Sequence, residues 1–205
     1  MAALHVKVCG VTTIDDALAC ADAGVSAIGL NFVPSSPRRV DAATARAISR
    51  ALRGRALVVG VVAGLPLDQL RALATEAELG CLQLHGDEPS EIVQALLPHA
   101  YKAVRVGSPA DVARARSYPG EHLLVDARVE GVLGGTGKTL DWSLVAELAR
   151  ERKLTLAGGL GPHNVADAVR AVRPYCVDVA SGVEISPGIK DLAKVRALVS
   201  AARAA

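Results

Sequence analysis

The chain has 205 residues, of which 51% are hydrophobic and only 2% aromatic, and its formal net charge at pH 7 is +2. A charge so small argues against partners bound by electrostatics, and the scarcity of aromatic side chains argues against a stacking platform for bases. We therefore expect neither nucleic acid nor membrane as a partner, and no apolar run reaches the roughly 18 residues that a membrane span needs.

Short strand-like runs alternate with amphipathic helix-like runs along the chain. Strands are predicted at Val6–Cys9, Ala27–Asn31, Ala56–Val62, Leu82–His85, Tyr101–Val106, His122–Asp126, Leu154–Ala157 and Val177–Ala180. Helices are predicted at Ile14–Ala23, Ala42–Leu52, Pro66–Glu78, Pro89–Leu96, Pro109–Ser117, Trp142–Glu151, Val165–Val172 and Asp191–Ala202. Strict alternation predicts a parallel sheet, and eight units favour an α/β fold closed as a (β/α)8 TIM barrel. Without an internal linker, residues 1–205 are expected to form a single domain.

The alternation of side chains along each strand predicts which residues face the barrel lumen. In the first strand, Val6 and Val8 suit the helix layer, which leaves Lys7 and Cys9 inward. The same pattern turns four further polar residues inward, namely Gln83, His85, Asp126 and Asp178. Because the first and last strands become neighbours when the barrel closes, we predict an ion pair between Lys7 and Asp178 low in the lumen.

Cys9 and Asp126 are predicted to end their strands, where the active sites of such barrels lie. The thiolate of Cys9 could act as a base or nucleophile, and the carboxylic acid of Asp126 could protonate an oxygen leaving group. The alternatives are structural: Cys9 as a small buried thiol that fills the barrel, and Asp126 as a cap for the loop that follows it.

A glycine-rich segment, Gly134–Thr139, superficially resembles a nucleotide-binding P-loop. A P-loop needs four residues between its first glycine and the Gly-Lys pair, and a strand directly before it. Because this segment has neither, we exclude nucleotide hydrolysis. We expect instead a loop that contacts substrate through Gly135 and closes over the site as a lid.

Anion-binding groups are predicted in three loops. Gly158 and Gly159 follow the seventh strand, and Ser181 and Gly182 follow the eighth, which are the positions of the phosphate cradle in many TIM barrels. Ordinary turns are the alternative interpretation of both loops. Arg38, in the loop after the second strand, has a guanidinium that suits a carboxylate, although a solvated loop charge is as good an explanation for one arginine.

The four cysteines, at positions 9, 20, 81 and 176, have no short spacing. That spacing argues against both a zinc site and a disulfide framework, so we expect no metal. Reduced thiols and a first strand that begins almost at Met1 favour a cytoplasmic protein without a cleaved signal.

Several segments together resemble the phosphoribosylanthranilate isomerase family, in chain order from the first strand to the last helix. They are Lys7–Thr12, Gly29–Arg38, Gln83–Gly86, Leu124–Asp126, Gly134–Trp142, Ala157–Asn164 and Val177–Glu184. The most specific of them is Gly-Gly-Thr-Gly-Lys-Thr-Leu-Asp-Trp at Gly134–Trp142. One departure is Ala180, where the family often has serine beside the phosphate.

The resemblance implies an Amadori rearrangement in tryptophan biosynthesis. N-(5′-phosphoribosyl)anthranilate would become 1-(2-carboxyphenylamino)-1-deoxyribulose 5-phosphate, without metal, flavin or nicotinamide. The family's general base and general acid correspond to Cys9 and Asp126. Its arginine for the anthranilate carboxylate corresponds to Arg38, and His85 corresponds to an active-site histidine. The implied partner is the small phosphoribosyl substrate, and the chain would be a monomer or a homodimer.

Two other functions compete with this one. A related sugar-phosphate barrel, the histidine-pathway isomerase of a similar aminoaldose, uses two aspartates, so a cysteine at position 9 argues against it. A non-catalytic phosphosugar-binding barrel would keep the loops after the last two strands but would not need Cys9 opposite Asp126.

Overall fold

The computed structural model describes residues 4–126 and 142–205. Eight parallel strands form a closed barrel in chain order, and the first strand pairs with both the second and the eighth. These strands are β1 His5–Cys9, β2 Ala27–Asn31, β3 Leu57–Val62, β4 Cys81–Leu84, β5 Ala100–Arg105, β6 His122–Asp126, β7 Lys153–Ala157 and β8 Cys176–Val179. The predicted (β/α)8 TIM barrel is therefore confirmed.

A helix follows each barrel strand. The helices are α1 Ile14–Asp22, α2 Ala42–Ala51, α3 Leu67–Glu76, α4 Ser90–Leu96, α5 Pro109–Ser117, α6 Trp142–Glu151, α7 Val165–Val172 and α8 Leu192–Arg203. Their starts carry recognisable signals: the Thr13 hydroxyl accepts a hydrogen bond from the Asp16 amide at 3.1 Å, and Pro109 opens α5. Pro89, which was predicted to begin a helix, instead precedes α4 in an extended conformation. In the part of the chain described, no helix has the length and apolarity needed to cross a membrane.

The segment after β8 contains short elements that the sequence pattern does not predict. A single 3₁₀ turn at Ser181–Val183 leads into a small antiparallel hairpin of β9 Glu184–Ser186 and β10 Ile189–Lys190. The Lys190 amide donates to Asp16 Oδ2 at 3.0 Å, which attaches this hairpin to α1. The hairpin therefore covers one side of the barrel mouth next to the end of β1.

Side-chain parity follows the prediction. The outward residues of the strands, such as Val6, Val8 and Val177, pack with the helices in the main apolar core. Lys7 is paired in register with Ala27 on one side and Asp178 on the other, and all three face the lumen. Polar groups therefore collect in the lumen of the barrel, below its C-terminal mouth.

Candidate active site

A cavity of about 400 Å³ opens at the C-terminal ends of the barrel strands. Seven of the predicted site residues line it, namely Cys9, Arg38, His85, Asp126, Gly158, Gly159 and Ser181. Gly182 is adjacent to this lining but is not part of it, and Gly135 lies outside the described residues, as does the proposed lid. The predicted residues thus converge from six different βα units on one space.

Cys9 ends β1 beneath this cavity. Its backbone oxygen accepts a hydrogen bond from Lys190 Nζ at 2.7 Å. Burial raises the pKa of the thiol; the charges of Lys7 and Lys190 act to lower it, and the charge of Asp178 acts to raise it. Burial therefore favours the thiol form of Cys9, whereas two nearby cations favour its ionisation.

The predicted ion pair between Lys7 and Asp178 is confirmed: Lys7 Nζ lies 2.7 Å from Asp178 Oδ2, and both side chains are buried. Burial acts to lower the pKa of Lys7, but its acidic neighbours, above all the Asp178 carboxylate, outweigh burial and hold the pKa well above its ordinary value. Lys7 is thus a permanent cation directly below the reactive end of the lumen.

Asp126 ends β6, on another part of the strand circle from Cys9, and it borders the same cavity. Its register partners are Arg105 on β5 and Ala157 on β7. Cys9 and Asp126 can therefore reach one bound molecule from different walls of the barrel.

His85 follows β4 directly and is oriented by a short hydrogen-bonded chain. The Tyr101 hydroxyl donates to Gln83 Oε1 at 3.0 Å, and Gln83 Nε2 lies 3.0 Å from His85 Nδ1. Because the Gln83 amide nitrogen is a donor, His85 Nδ1 accepts, and a neutral ring then carries its proton on Nε2. Burial lowers the pKa of His85, which favours that neutral ring, whereas the charge of Asp126 acts against it.

Arg38 is held by Glu184, which Lys190 holds in turn, and sequence reasoning gave neither of these two residues a role. Its Nε and Nη2 donate to the two carboxylate oxygens of Glu184 at 2.8 and 2.6 Å. Lys190 Nζ lies 2.6 Å from Glu184 Oε1. Burial acts to raise the pKa of Glu184, but the bonds from Arg38 and Lys190 prevail and lower it to about 2. Glu184 therefore stays ionised and fixes the direction of the guanidinium.

Gly10 is a further residue of the site that the sequence pattern does not single out. A Cβ on Gly10 would overlap Cδ of Arg38, so the arginine stem passes directly over this glycine. Gly10 also has a φ of +72°, which favours glycine. The glycine directly after Cys9, at the end of β1, is visible in the sequence, but its contact with Arg38 is not.

The loops after β7 and β8 meet backbone to backbone. A Cβ on Gly182 would overlap the carbonyl oxygen of Leu160, so this glycine permits the close approach of the two loops. Gly158 and Gly159 have φ values of +105° and +64°, and a Cβ on Gly159 would meet nothing within 4 Å. The first loop thus leaves open space for a ligand, whereas Gly182 serves the packing of the loops.

In the described parts of the chain no cluster of histidine, cysteine and carboxylate residues could hold a metal ion. The cavity offers instead a thiol, a carboxyl group, a neutral imidazole, an arginine and two glycine-rich loops. A polar cavity of this kind, at the C-terminal mouth of a (β/α)8 barrel, defines a barrel enzyme suited to acid–base chemistry on a small anionic substrate.

Residues 6–201 match the family model of N-(5′-phosphoribosyl)anthranilate isomerase. The chain therefore belongs to this family.

Individual relatives agree with the family match. A protein named N-(5′-phosphoribosyl)anthranilate isomerase from Myxococcus xanthus is 50% identical over 205 residues, covering 98% of this chain and 96% of the relative. The crystal structure of phosphoribosyl anthranilate isomerase from Thermotoga maritima is 37% identical, with a TM-score of 0.89 and coverage of 98% and 100%. A second solved structure, bound to reduced 1-(o-carboxyphenylamino)-1-deoxyribulose 5-phosphate, is 35% identical with a TM-score of 0.87 and the same coverage.

Proposed function

We propose that the chain converts N-(5′-phosphoribosyl)anthranilate into 1-(2-carboxyphenylamino)-1-deoxyribulose 5-phosphate, in tryptophan biosynthesis, with Asp126 as general acid and Cys9 as general base. The observation that carries this proposal is the position of both groups on different walls of one cavity, at the ends of β6 and β1. Membership of the isomerase family supports the substrate.

The reaction needs one acid and one base. Asp126 donates its proton to the furanose ring oxygen, the bond from that oxygen to C1′ breaks, and the substrate nitrogen forms an iminium with C1′. The Cys9 thiolate then takes the proton from C2′, and the electrons of that bond form the C1′–C2′ double bond of an enolamine. The ketone forms as the enol oxygen loses its proton and C1′ gains one.

Substrate anchoring follows from the two ends of the cavity. Glu184 occupies the Nε–Nη2 edge of Arg38, which leaves Nη1 and the second Nη2 proton for a carboxylate such as that of anthranilate. At the other end, Gly158, Gly159 and Ser181 would receive the phosphate. Two anchors at opposite ends would hold the sugar between Cys9 and Asp126.

The test is turnover by purified protein, followed as the loss of anthranilate fluorescence. Cys9→Ala and Asp126→Asn should each lower kcat by about 10²- to 10⁴-fold, the usual contribution of one acid or base. Cys20→Ala removes a buried thiol of α1, outside the lumen, and should leave kcat unchanged. Near-full activity in either site variant would contradict the assigned role.

Two further measurements on the wild-type protein, phosphosugar binding and turnover of the histidine-pathway aminoaldose, separate this proposal from its competitors. Binding of a phosphosugar without turnover by the wild-type protein would favour a non-catalytic barrel, and turnover of the histidine-pathway aminoaldose alone would favour the related isomerase. Two further expectations stay predictions. Limited proteolysis would test whether residues 1–205 form one domain, and light scattering would test whether the chain is a monomer or a homodimer.

A further inference from the structure

Lys7 and Cys9 lie one above the other on the lumen face of β1. Cys9 is in register with Gly29 of β2. The Cβ of an alanine at position 29 would lie 2.8 Å from Cys9 Sγ and 3.0 Å from Lys7 Nζ. The thiol and the ammonium thus border the same small space, which Gly29 leaves to them because it has no side chain.

The ammonium is fixed in this place from the opposite side. Lys7 is 2% exposed and Asp178 is 7% exposed, and their contact at 2.7 Å uses only Oδ2 of the carboxylate. Among the described residues, Asp178 Oδ1 has no hydrogen-bond partner. Since an ammonium has three donors, this single contact orients Lys7 without using up its capacity to stabilise a second anion.

We propose that Lys7, oriented by Asp178, is a positioning residue that holds the thiolate of Cys9 ready to accept the C2′ proton. The inference rests on the proposed role of Cys9 as the base. Lys7 keeps its own proton throughout: the C2′–H bond breaks, the S–H bond forms, and the ammonium exchanges a thiolate neighbour for a neutral thiol.

Several other charges surround this pair, and they fix the direction of the expected effects. Lys190 and Arg38 approach Cys9 from β10 and from the loop after β2. The titratable groups near Lys7 and Asp178 are Cys81, His85 and Tyr101 from other parts of the barrel and Cys176 on β8 itself. Burial raises the pKa of Cys9, Lys7 lowers it and Asp178 raises it. Lys7 and Asp178 therefore act on the thiol in opposite directions, although they form one ion pair.

The experiment titrates Cys9 in the substrate-free protein, through the rate at which iodoacetamide alkylates the Cys9 peptide as the pH is raised. Lys7→Met should move the inflection to higher pH by about 1 to 3 pH units, the usual effect of an opposite charge within 4–6 Å. Asp178→Asn should move it to lower pH. Cys9→Ser supplies the blank, because Cys20, Cys81 and Cys176 remain in it.

Loss of one partner leaves the other as an unpaired buried charge, which can unfold a protein. The double variant Lys7→Met/Asp178→Asn removes both charges and keeps the test available if Lys7→Met does not fold. The double variant should still titrate above the wild type, because Lys7 Nζ borders the same space as the Cys9 sulfur, whereas among the described residues the Asp178 carboxylate contacts only the lysine. Wild-type inflections in the Lys7→Met and double variants would overturn the proposal.

Kinetics distinguish this proposal from the role of Cys9 itself. In Lys7→Met, the ascending limb of kcat against pH should move to higher pH in step with the thiol inflection, with KM little changed. A shifted thiol titration with an unshifted rate profile would overturn the proposal through its premise, since Cys9 would not be the base. An unshifted titration in a protein that Cys9→Ala inactivates would overturn only the role of Lys7.

Discussion

The side chain of Arg38 crosses directly over Gly10, so two neighbouring residues of β1 and its loop serve different parts of the site. Cys9 presents its sulfur to the lumen, and Gly10 leaves room for the arginine that Glu184 orients. The guanidinium is thus positioned by the absence of a side chain below it and by a carboxylate beside it. Displacement of the Arg38 side chain should weaken substrate binding more than it slows the chemical step.

We expect Gly10→Ala to raise KM by about tenfold or more and to lower kcat less, because the new Cβ pushes Arg38 out of place. Alanine at a φ of +72° also costs about 1–2 kcal/mol of folding free energy. Gly54→Ala is the matched control: Gly54 has a φ of +78°, but a Cβ there would meet nothing within 4 Å. It should lose similar stability and keep its KM. Equal KM values in both variants would contradict this role for Gly10.

The individual residues differ in how far sequence could predict them. The inward direction of Lys7, Cys9 and Asp178 follows from strand parity, which is a local property. The contacts of Glu184 with Arg38 and of Lys190 with the Cys9 carbonyl span 146 and 181 positions in the chain. Such contacts depend on closure of the barrel and on the loops above it, so local patterns do not contain them.

At the scale of elements, the loops after β7 and β8 form one unit because their backbones touch at Gly182 and Leu160. Asn164 steadies the first loop, since its side chain accepts from the Gly161 amide at 2.8 Å and donates to the Gly159 carbonyl at 3.1 Å. A phosphate held by both loops therefore requires that they keep this spacing.

Gly182→Ala should force the two loops apart and weaken binding at the phosphate end of the cavity. We expect KM for the phosphoribosyl substrate and the inhibition constant of inorganic phosphate to rise together, by about tenfold. Gly107→Ala, in the loop after β5, introduces a Cβ that would meet nothing within 4 Å and should change neither constant. If inorganic phosphate inhibited Gly182→Ala as it does the wild type, the loops would not form the phosphate site.

The regular elements were predicted to within two residues at each end, because eight strands and eight helices each carry a periodic apolar pattern and often a capping signal. The hairpin of β9 and β10 was missed for the opposite reason. Its strands have three and two residues, which is too short for a period to appear, and Ile185 and Ile189 are exposed. Contacts of Glu184, Lys190 and Asp16 hold this hairpin rather than an apolar face.

At the scale of the whole molecule, Glu184 joins parts of the chain that are far apart in sequence. It receives Arg38 from the loop after β2 and Lys190 from β10, and Lys190 also binds the end of β1. One side of the barrel mouth is therefore held by ionic contacts, whereas the wall of the barrel is held by apolar packing. Acid should therefore weaken these contacts by protonating Glu184, because the ionised carboxylate makes them.

The pKa of Glu184 is about 2 in the folded protein, below its ordinary value of 4.5. A carboxyl whose pKa is lowered by folding adds stability above the unfolded pKa and loses it as the pH falls through the folded one. The contribution of Glu184 should therefore be complete above about pH 4.5 and disappear towards pH 2. Urea midpoints measured across this window should fall less steeply for Glu184→Gln than for the wild type, and Glu184→Gln should be the less stable protein at pH 7. Glu76→Gln, at the exposed end of α3, is the control and should follow the wild-type slope; an equal slope for Glu184→Gln would show that the mouth of the barrel does not depend on this carboxylate.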